Sequence, residues 1–307
     1  MRTGVTDSDC AHAPGKGASA PPVARPPVVI LCGGRGTRLQ EQGSAAGGGR
    51  RAIPKPLIEI GGLPIVWHVI QLYAAHGFRS FLLATGHRGE LIERFVASHP
   101  WPAGISVQCI DTGPDTPTGG RIKLLEQRLR ADARPSAENR GRSQRPDRPR
   151  AGGLFCATYA DGLADVDLDA LLSFHRAHRS LASLTVVRPR LQFGVTELDR
   201  DDRVTGFREK PTSEHWINGG FFCFDARVLD YLQRDSVLER APLERLAAAG
   251  ELRAYRHEGF WRCMDTYKDA VALGDLWATG RAPWRGSGEG GPGAFAERGE
   301  LASLDAR

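Results

Sequence analysis

The sequence predicts an α/β fold of three layers, Rossmann-like, in which a mostly parallel mixed sheet is covered by helices on both faces. Two observations predict it. Short apolar runs alternate with helical patterns through residues 27–284, and the first run, VVILC at 28–32, is apolar at every position. A strand without polar alternation is buried on both faces, as is typical of parallel sheets. The 307-residue chain, 41% hydrophobic, is long enough for one large domain.

The remaining elements follow from periodicity and from turn and cap residues. We expect further strands at 80–85, 105–110, 154–161, 183–187, 194–199, 203–209, 218–224 and 252–256. We expect helices at 63–77, 89–98, 121–130, 167–178 (with Asp167 as N-cap), 226–233, 241–249 and 267–278. Right-handed crossovers then place the functional loops at the carboxyl ends of the parallel strands.

Three segments lie outside this pattern and carry much of the charge. Residues 1–26 are expected to form a disordered leader, 134–152 a mobile Arg/Pro insertion within the single domain at 27–284, and 285–307 a flexible tail. Six arginines against two acidic residues at 134–150 carry +4 of the formal net charge of +5. The body is therefore close to neutral, and net charge does not argue for a nucleic-acid partner.

The six cysteines form neither a C-x-x-C pair nor a zinc spacing, so reduced thiols and a cytoplasmic location are expected. The amino terminus lacks the apolar core of a signal peptide, and no apolar run reaches the length of a membrane span. We therefore expect no membrane association.

A glycine-rich loop follows the first strand directly. Its sequence, Gly33-Gly34-Arg35-Gly36-Thr37-Arg38-Leu39, suits an anion, because glycines let backbone N–H groups approach closely. The loop fails both the G-x-G-x-x-G dinucleotide fingerprint and the P-loop spacing, and an ordinary glycine turn remains an alternative. Lys55 lies between two prolines, which restrict the backbone; it is a candidate phosphate ligand, although a solvated lysine is the simpler interpretation.

Longer segments carry a family resemblance. The sequence resembles the sugar-phosphate nucleotidyltransferases, and among them the glucose-1-phosphate cytidylyltransferases, from about Val28 to Trp284. The resemblance is carried by LCGGRGTRL, PKPLIEIGGLPIVWHV, DTGPDTPTGGR, TYADGLADV, EKP, INGGFF and GFWRCMDT. It implies Mg²⁺-dependent, in-line attack of α-D-glucose 1-phosphate on the α-phosphate of CTP, giving CDP-glucose and pyrophosphate, a reaction that needs positioning and charge neutralisation more than a protein nucleophile.

The resemblance also implies roles for single residues. Arg38 and Lys55 would be the catalytic cations, and Asp161 and Asp265 would hold Mg²⁺. An Asp-Gly turn at Asp161 and a helix cap at Asp265 are the structural alternatives. The nucleotide would be bound by Gly33, Gly34, Gly36, Thr37, Thr116 and Arg121, with Ala160 in place of the family's glycine beside the metal aspartate.

The sugar phosphate would be bound by Glu209, Lys210 and Asn218, and a homo-oligomer is expected.

Two other functions stay open. One is a sister enzyme that uses UTP, dTTP or GTP, or another sugar 1-phosphate; the other is a weakened relative that binds sugar nucleotides as a regulator. His175 and His178 lie three positions apart on a predicted helix without a third ligand nearby, so we expect solvated histidines there.

Overall fold

A computed structural model describes residues 25–34, 53–132 and 153–285. The predicted insertion at 134–152 lies outside the described residues, as do residues 1–24 of the predicted leader and 286–307 of the predicted tail.

The described chain alternates strands and helices. The strands are β1 (Val28–Leu31), β2 (Glu59–Ile60), β3 (Leu63–Pro64), β4 (Ser80–Thr85), β5 (Ser106–Asp111), β6 (Leu154–Tyr159), β7 (Gly162–Ala164), β8 (Ala182–Val187), β9 (Val195–Leu198), β10 (Val204–Arg208), β11 (Ile217–Asp225), β12 (Leu252–Arg256) and β13 (Trp261–Cys263). The α-helices are α1 (Ile65–Ala75), α2 (Gly89–Ser98), α3 (Thr118–Leu124), α4 (Glu126–Asp132), α5 (Leu168–His178), α6 (Ala241–Ala248) and α7 (Tyr267–Ala278). Short 3₁₀ helices occur at Lys55–Leu57, Ala226–Tyr231 and Pro283–Arg285.

A seven-stranded sheet in the order β12-β8-β11-β6-β1-β4-β5 forms the centre of the described fold. Strand β1 pairs in parallel with both β4 and β6, whereas β11 is antiparallel to its neighbours β6 and β8. The sheet is therefore mixed and mostly parallel, which confirms the predicted fold class. The carboxyl ends of β1, β4, β5, β6 and β8 and the amino end of β11 all meet at one edge of the sheet.

Two apolar clusters, one on each face of the sheet, make the three layers. Alternate residues of β1 enter opposite clusters: Val28 and Ile30 the first, Val29 and Leu31 the second. The first cluster includes buried residues of α1, α5 and α7, and the second those of α3, α4 and α6. This double burial is why the sequence of β1 shows no polar alternation.

Most predicted elements match the structure closely. The predicted bounds are reproduced for β4, β12, α2 and α7, and the Asp167 carboxylate caps α5 by accepting a hydrogen bond from the Ala170 N–H at 2.8 Å. The helix predicted at 121–130 is instead two helices, α3 and α4, separated at Leu125. The predicted start is too late because α3 begins at Thr118, and the two glycines that follow carry no apolar periodicity. The helix predicted at 226–233 is the 3₁₀ helix Ala226–Tyr231.

One surface expectation is wrong. His175 is 2% exposed and its Nδ1 lies 2.9 Å from the Ser183 hydroxyl, so it is a core residue, whereas His178 is exposed as expected. Burial lowers the pKa of His175 to about 4, and it lowers that of His68, next to Trp67 in α1, to about 4 as well. Across the described residues, no helix has both the length and the apolar character needed to span a bilayer.

Candidate active site

An open cleft of about 330 Å³ lies at the carboxyl ends of β1 and β6. Gly33 and Gly34 follow β1, and Ala160 and Asp161 follow β6, so two neighbouring parallel strands deliver one side of the cleft. This is the position at which open α/β sheets bind ligands. The described residues that line the cleft are Leu31, Cys32, Gly33, Gly34, Lys55, Pro56, Thr116, Pro117, Thr118, Arg121, Tyr159, Ala160 and Asp161.

Lys55 lies between two carboxylates in this cleft. Its Nζ is 2.6 Å from Asp161 Oδ2 and 2.8 Å from Asp265 Oδ1. Burial lowers the pKa of Lys55, but the charge of Asp161 and hydrogen bonds to both carboxylates outweigh burial, so the pKa is raised above its usual value. The ammonium therefore keeps its charge. Its backbone is held in a 3₁₀ turn closed by the Leu57 N–H, which donates to the Pro54 carbonyl at 2.8 Å.

A small two-stranded ribbon brings the two aspartates together. Strands β7 and β13 pair antiparallel with Gly162 opposite Cys263, and the Met264 N–H donates to the Asp161 carbonyl at 2.9 Å. Asp161 precedes β7 and Asp265 follows β13, so the ribbon places them side by side. Asp265 is not a helix cap, because Thr266 caps α7 in a reciprocal capping box with Asp269.

The same ribbon adds a thiol that the sequence does not single out. Ligand atoms of Asp161, Cys263 and Asp265 lie within 4.8 Å of one another. Burial, followed by the charge of Asp161, raises the pKa of Cys263, so the thiol stays protonated and the charged oxygens come from the aspartates. Paired carboxylates that already hold the ammonium of Lys55 are a donor set that fits a hard divalent cation. Only the spacing Cys-x-Asp at a strand end could have pointed to Cys263.

Arg121 has a role in shaping the cleft. It is 4% exposed, and its guanidinium donates to the carbonyls of Gly33 at 2.9 Å, Thr85 at 2.8 Å and Gly113 at 2.9 Å. These carbonyls follow or end β1, β4 and β5, so one side chain ties three strand ends together. A Cβ atom on Gly33 would lie 1.9 Å from Arg121 Cζ, which explains the glycine. Direct contact of Arg121 with a nucleotide stays a prediction.

Two other predicted nucleotide ligands also line the cleft. The Thr116 hydroxyl donates to the Thr112 carbonyl, which fixes its rotamer beside the cleft. Ala160, at 4% exposure, occupies the step between β6 and Asp161. Their contacts with a nucleotide stay predictions, and Gly36, Thr37 and Arg38 lie outside the described residues.

The predicted sugar-phosphate ligands divide into two groups. Asn218, at the start of β11, reaches the cleft wall because its Nδ2 donates to the Tyr159 hydroxyl at 3.2 Å. Glu209 and Lys210 follow β10, are each more than half exposed, and form an ion pair with each other at 3.2 Å. The structure thus joins Asn218 to the cleft, whereas Glu209 and Lys210 lie on a solvent-exposed ribbon. Their contacts with a sugar phosphate stay predictions.

Comparison with known proteins agrees with this architecture. The family model for nucleotidyl transferases matches residues 27–254. The chain belongs to the nucleotidyl transferase family. It is 35% identical to glucose-1-phosphate cytidylyltransferase of Salmonella typhimurium over 284 residues, covering 84% of this chain and 98% of that protein. It is 34% identical to a probable glucose-1-phosphate cytidylyltransferase of Bacillus subtilis, again over 84% and 98% of the two chains.

A solved structure supports the fold independently. The crystal structure of HddC from Yersinia pseudotuberculosis aligns with a TM-score of 0.57 at 20% identity, covering 82% of this chain and all of the other. At that identity the likeness concerns the fold alone. The resemblance found in the sequence is confirmed by the family match and by the two relatives.

Proposed function

We propose that this nucleotidyltransferase condenses CTP with α-D-glucose 1-phosphate and releases CDP-glucose and pyrophosphate. The observation that carries the proposal is the Lys55 ammonium held between Asp161 and Asp265, in a cleft at the carboxyl ends of β1 and β6. The substrates are those named for the two relatives, each of which aligns with this chain over 98% of its own length.

The reaction is a transfer at phosphorus. An oxygen of the sugar phosphate forms a bond to the α-phosphorus, the bond from that phosphorus to the bridging oxygen breaks, and pyrophosphate leaves with the electron pair. Catalysis of this kind depends on in-line positioning and on neutralising phosphate charge. Lys55, with its raised pKa, supplies one permanent positive charge at the cleft. Gly34, whose Cβ position has no atom of the described residues within 4 Å, leaves room for the phosphates to approach the backbone.

Asp161 and Asp265 are the residues that would hold a divalent cation, Mg²⁺ by the chemistry of their oxygens. Such an ion, when bound, supplies charge neutralisation at the phosphates. Cys263 stands beside them as a neutral thiol. Arg38 would contribute a second phosphate-binding cation, and Asn218, Glu209 and Lys210 would bind the sugar phosphate. The protein is proposed to act in the cytoplasm as a homo-oligomer.

One experiment separates the candidate functions. The protein is incubated with Mg²⁺, glucose 1-phosphate and CTP, UTP, dTTP or GTP in turn, and pyrophosphate release is measured. Release with CTP alone supports the proposal, release with another nucleotide indicates the sister enzyme, and no release with any of them indicates the regulatory relative.

A matched pair of variants tests the metal carboxylate. Removing a preorganised electrostatic group of this kind typically costs about 10²–10³ in rate, so Asp161→Asn should lower kcat by that factor. Asp275→Asn, on the exposed surface of α7, makes the same chemical change away from the cleft and should keep wild-type activity. Equal activity of the two variants would remove Asp161 from the mechanism.

A further inference from the structure

The loop before α6 packs closely on the start of α3. The Gly120 N–H donates to the Ser236 carbonyl at 3.0 Å. A Cβ atom on Gly120 would lie 2.0 Å from the Arg234 carbonyl oxygen, and one on Gly119 would lie 2.9 Å from the Ser236 carbonyl oxygen. The two glycines of the TGGR segment are therefore required by this backbone contact, which holds residues 234–238 against the cleft wall.

This contact places Glu239 between two residues that line the cleft. Its Oε2 accepts a hydrogen bond from the Thr118 hydroxyl at 2.7 Å, and its Oε1 accepts one from the Tyr159 hydroxyl. The Thr118 oxygen in turn accepts the Leu238 N–H at 2.9 Å. Thr118 begins α3 and Tyr159 ends β6, so a single carboxylate spans two walls of the cleft.

Tyr159 extends the chain of hydrogen bonds to the proposed sugar side. Its hydroxyl accepts from Asn218 Nδ2 at 3.2 Å, and Asn218 Oδ1 accepts the Gly220 N–H at 2.9 Å. Gly220 has φ of +84°, and a Cβ atom there would lie 2.6 Å from the Tyr159 ring, so the ring and the β11 backbone fit together closely. Burial, followed by the charge of Glu239, raises the pKa of Tyr159, which keeps its proton available for donation.

We propose that Glu239 is a positioning residue that couples the nucleotide side of the cleft to its sugar side. Among the described residues that line the cleft, Thr118 and Tyr159 are included and Glu239 is not, so Glu239 acts through those two side chains. It orients Thr118 on one wall and Tyr159 on the other, and through the Tyr159 hydroxyl it orients Asn218. The inference rests on the proposed function, because it takes CTP and glucose 1-phosphate as the ligands of these walls.

The test compares Glu239→Ala, Tyr159→Phe and the double variant. The Kd of CTP is measured without turnover, and the KM of glucose 1-phosphate and kcat are measured with Mg²⁺. Losing charge-assisted hydrogen bonds from both walls should raise the CTP Kd and the sugar-phosphate KM of Glu239→Ala about five- to tenfold. Tyr159→Phe should raise mainly the sugar-phosphate KM. Because both substitutions break the same chain of hydrogen bonds, the sugar-phosphate KM of the double variant should be no higher than that of the worse single variant.

Glu244→Ala on α6 is the matched control, since it removes another exposed glutamate five positions further on. It should keep the wild-type Kd and KM, and Glu239→Ala should keep the wild-type melting temperature because Glu239 is exposed. The inference is overturned if Glu239→Ala leaves the CTP Kd and the sugar-phosphate KM within about twofold of wild type, or if the two substitutions act additively on that KM.

The two hypotheses fail in different ways. An active wild type with an unaffected Glu239→Ala variant refutes the positioning role alone. A wild type that releases pyrophosphate with another nucleotide refutes the CTP assignment, and the same Kd comparison with that nucleotide then decides the role of Glu239. A wild type that neither binds nucleotide nor releases pyrophosphate refutes both.

Discussion

Replacing Lys55 by alanine should strengthen divalent-cation binding in the nucleotide-free protein. The ammonium occupies the space between the two aspartates that would hold the cation, at 2.6 Å from Asp161 and 2.8 Å from Asp265. A cation that binds to these carboxylates must first displace it. Without the ammonium, two neighbouring negative charges are left without that partner, which also favours a cation.

The expected gain in cation affinity can be worked out from how exposed the three paired side chains are. The Lys55 and Asp161 side chains are 16% and 24% exposed, so their charge-assisted bond contributes about 1.5–3 kcal/mol. The Asp265 side chain is 48% exposed, and solvent screening limits its contribution to less than about 1 kcal/mol. Displacing the ammonium therefore costs about 2–3 kcal/mol. Since about 1.4 kcal/mol corresponds to a factor of ten, the cation affinity should rise about 30- to 140-fold in Lys55→Ala.

The assay is a titration with Mn²⁺ in the absence of nucleotide, monitored by calorimetry or by the loss of the free-ion paramagnetic signal. Lys268→Ala, an exposed lysine in α7, changes the net charge equally and should leave the affinity within about threefold of wild type. Adding Asp161→Asn to Lys55→Ala should abolish the gain. An unchanged or weaker Mn²⁺ affinity in Lys55→Ala would refute competition for these carboxylates.

Three further outcomes are expected. Gly33→Ala should lower the melting temperature and the activity, because its Cβ atom would lie 1.9 Å from Arg121 Cζ. Gly34→Ala should keep the melting temperature, because no atom of the described residues lies within 4 Å of its Cβ position. Arg121→Met should lower the free energy of unfolding in urea by roughly 3 kcal/mol, since it leaves buried carbonyls without a donor. Burial lowers the pKa of His68 and of His175 to about 4, below the unfolded value of 6.5, so the unfolded state binds more protons and stability should fall by up to about 3 kcal/mol per histidine between pH 6.5 and 4. The urea midpoint of His175→Gln should depend less on pH in that window, and an identical pH dependence would contradict the last expectation.

Local patterns predicted most of the fold. The run VVILC, the glycine and proline boundaries and the Asp167 cap predict element type correctly because each depends on neighbours along the chain. The sequence does not predict strands β7 and β13, because each is three residues long and pairs with a partner about a hundred residues away. The helix predicted at 121–130 begins earlier, at Thr118, because its glycines are placed by contact with residues 234–238 rather than by periodicity.

The candidate site shows the same division. The sequence motifs name Lys55, Asp161 and Asp265 as separate candidates, and each has a plain structural alternative when taken alone. Their convergence requires the β7–β13 ribbon, which depends on long-range backbone pairing. Glu239 lies in none of the quoted motifs, and Cys263, although it lies within GFWRCMDT, is given no role by the sequence; only their neighbours in space reveal them.

The sequence by itself determined the three-layer fold class, the order of most elements and the residue types of the cleft, because hydrophobic periodicity, caps and turn residues act over a few positions. Only the tertiary structure decided what those residues touch. In the folded chain the Arg121 guanidinium donates hydrogen bonds to carbonyls at three strand ends, and His175 is buried in the core. The Lys55 ammonium lies between two carboxylates that are 104 positions apart in the chain. Charge pairing and burial act through space, so the side-chain environment cannot be read from neighbours in sequence.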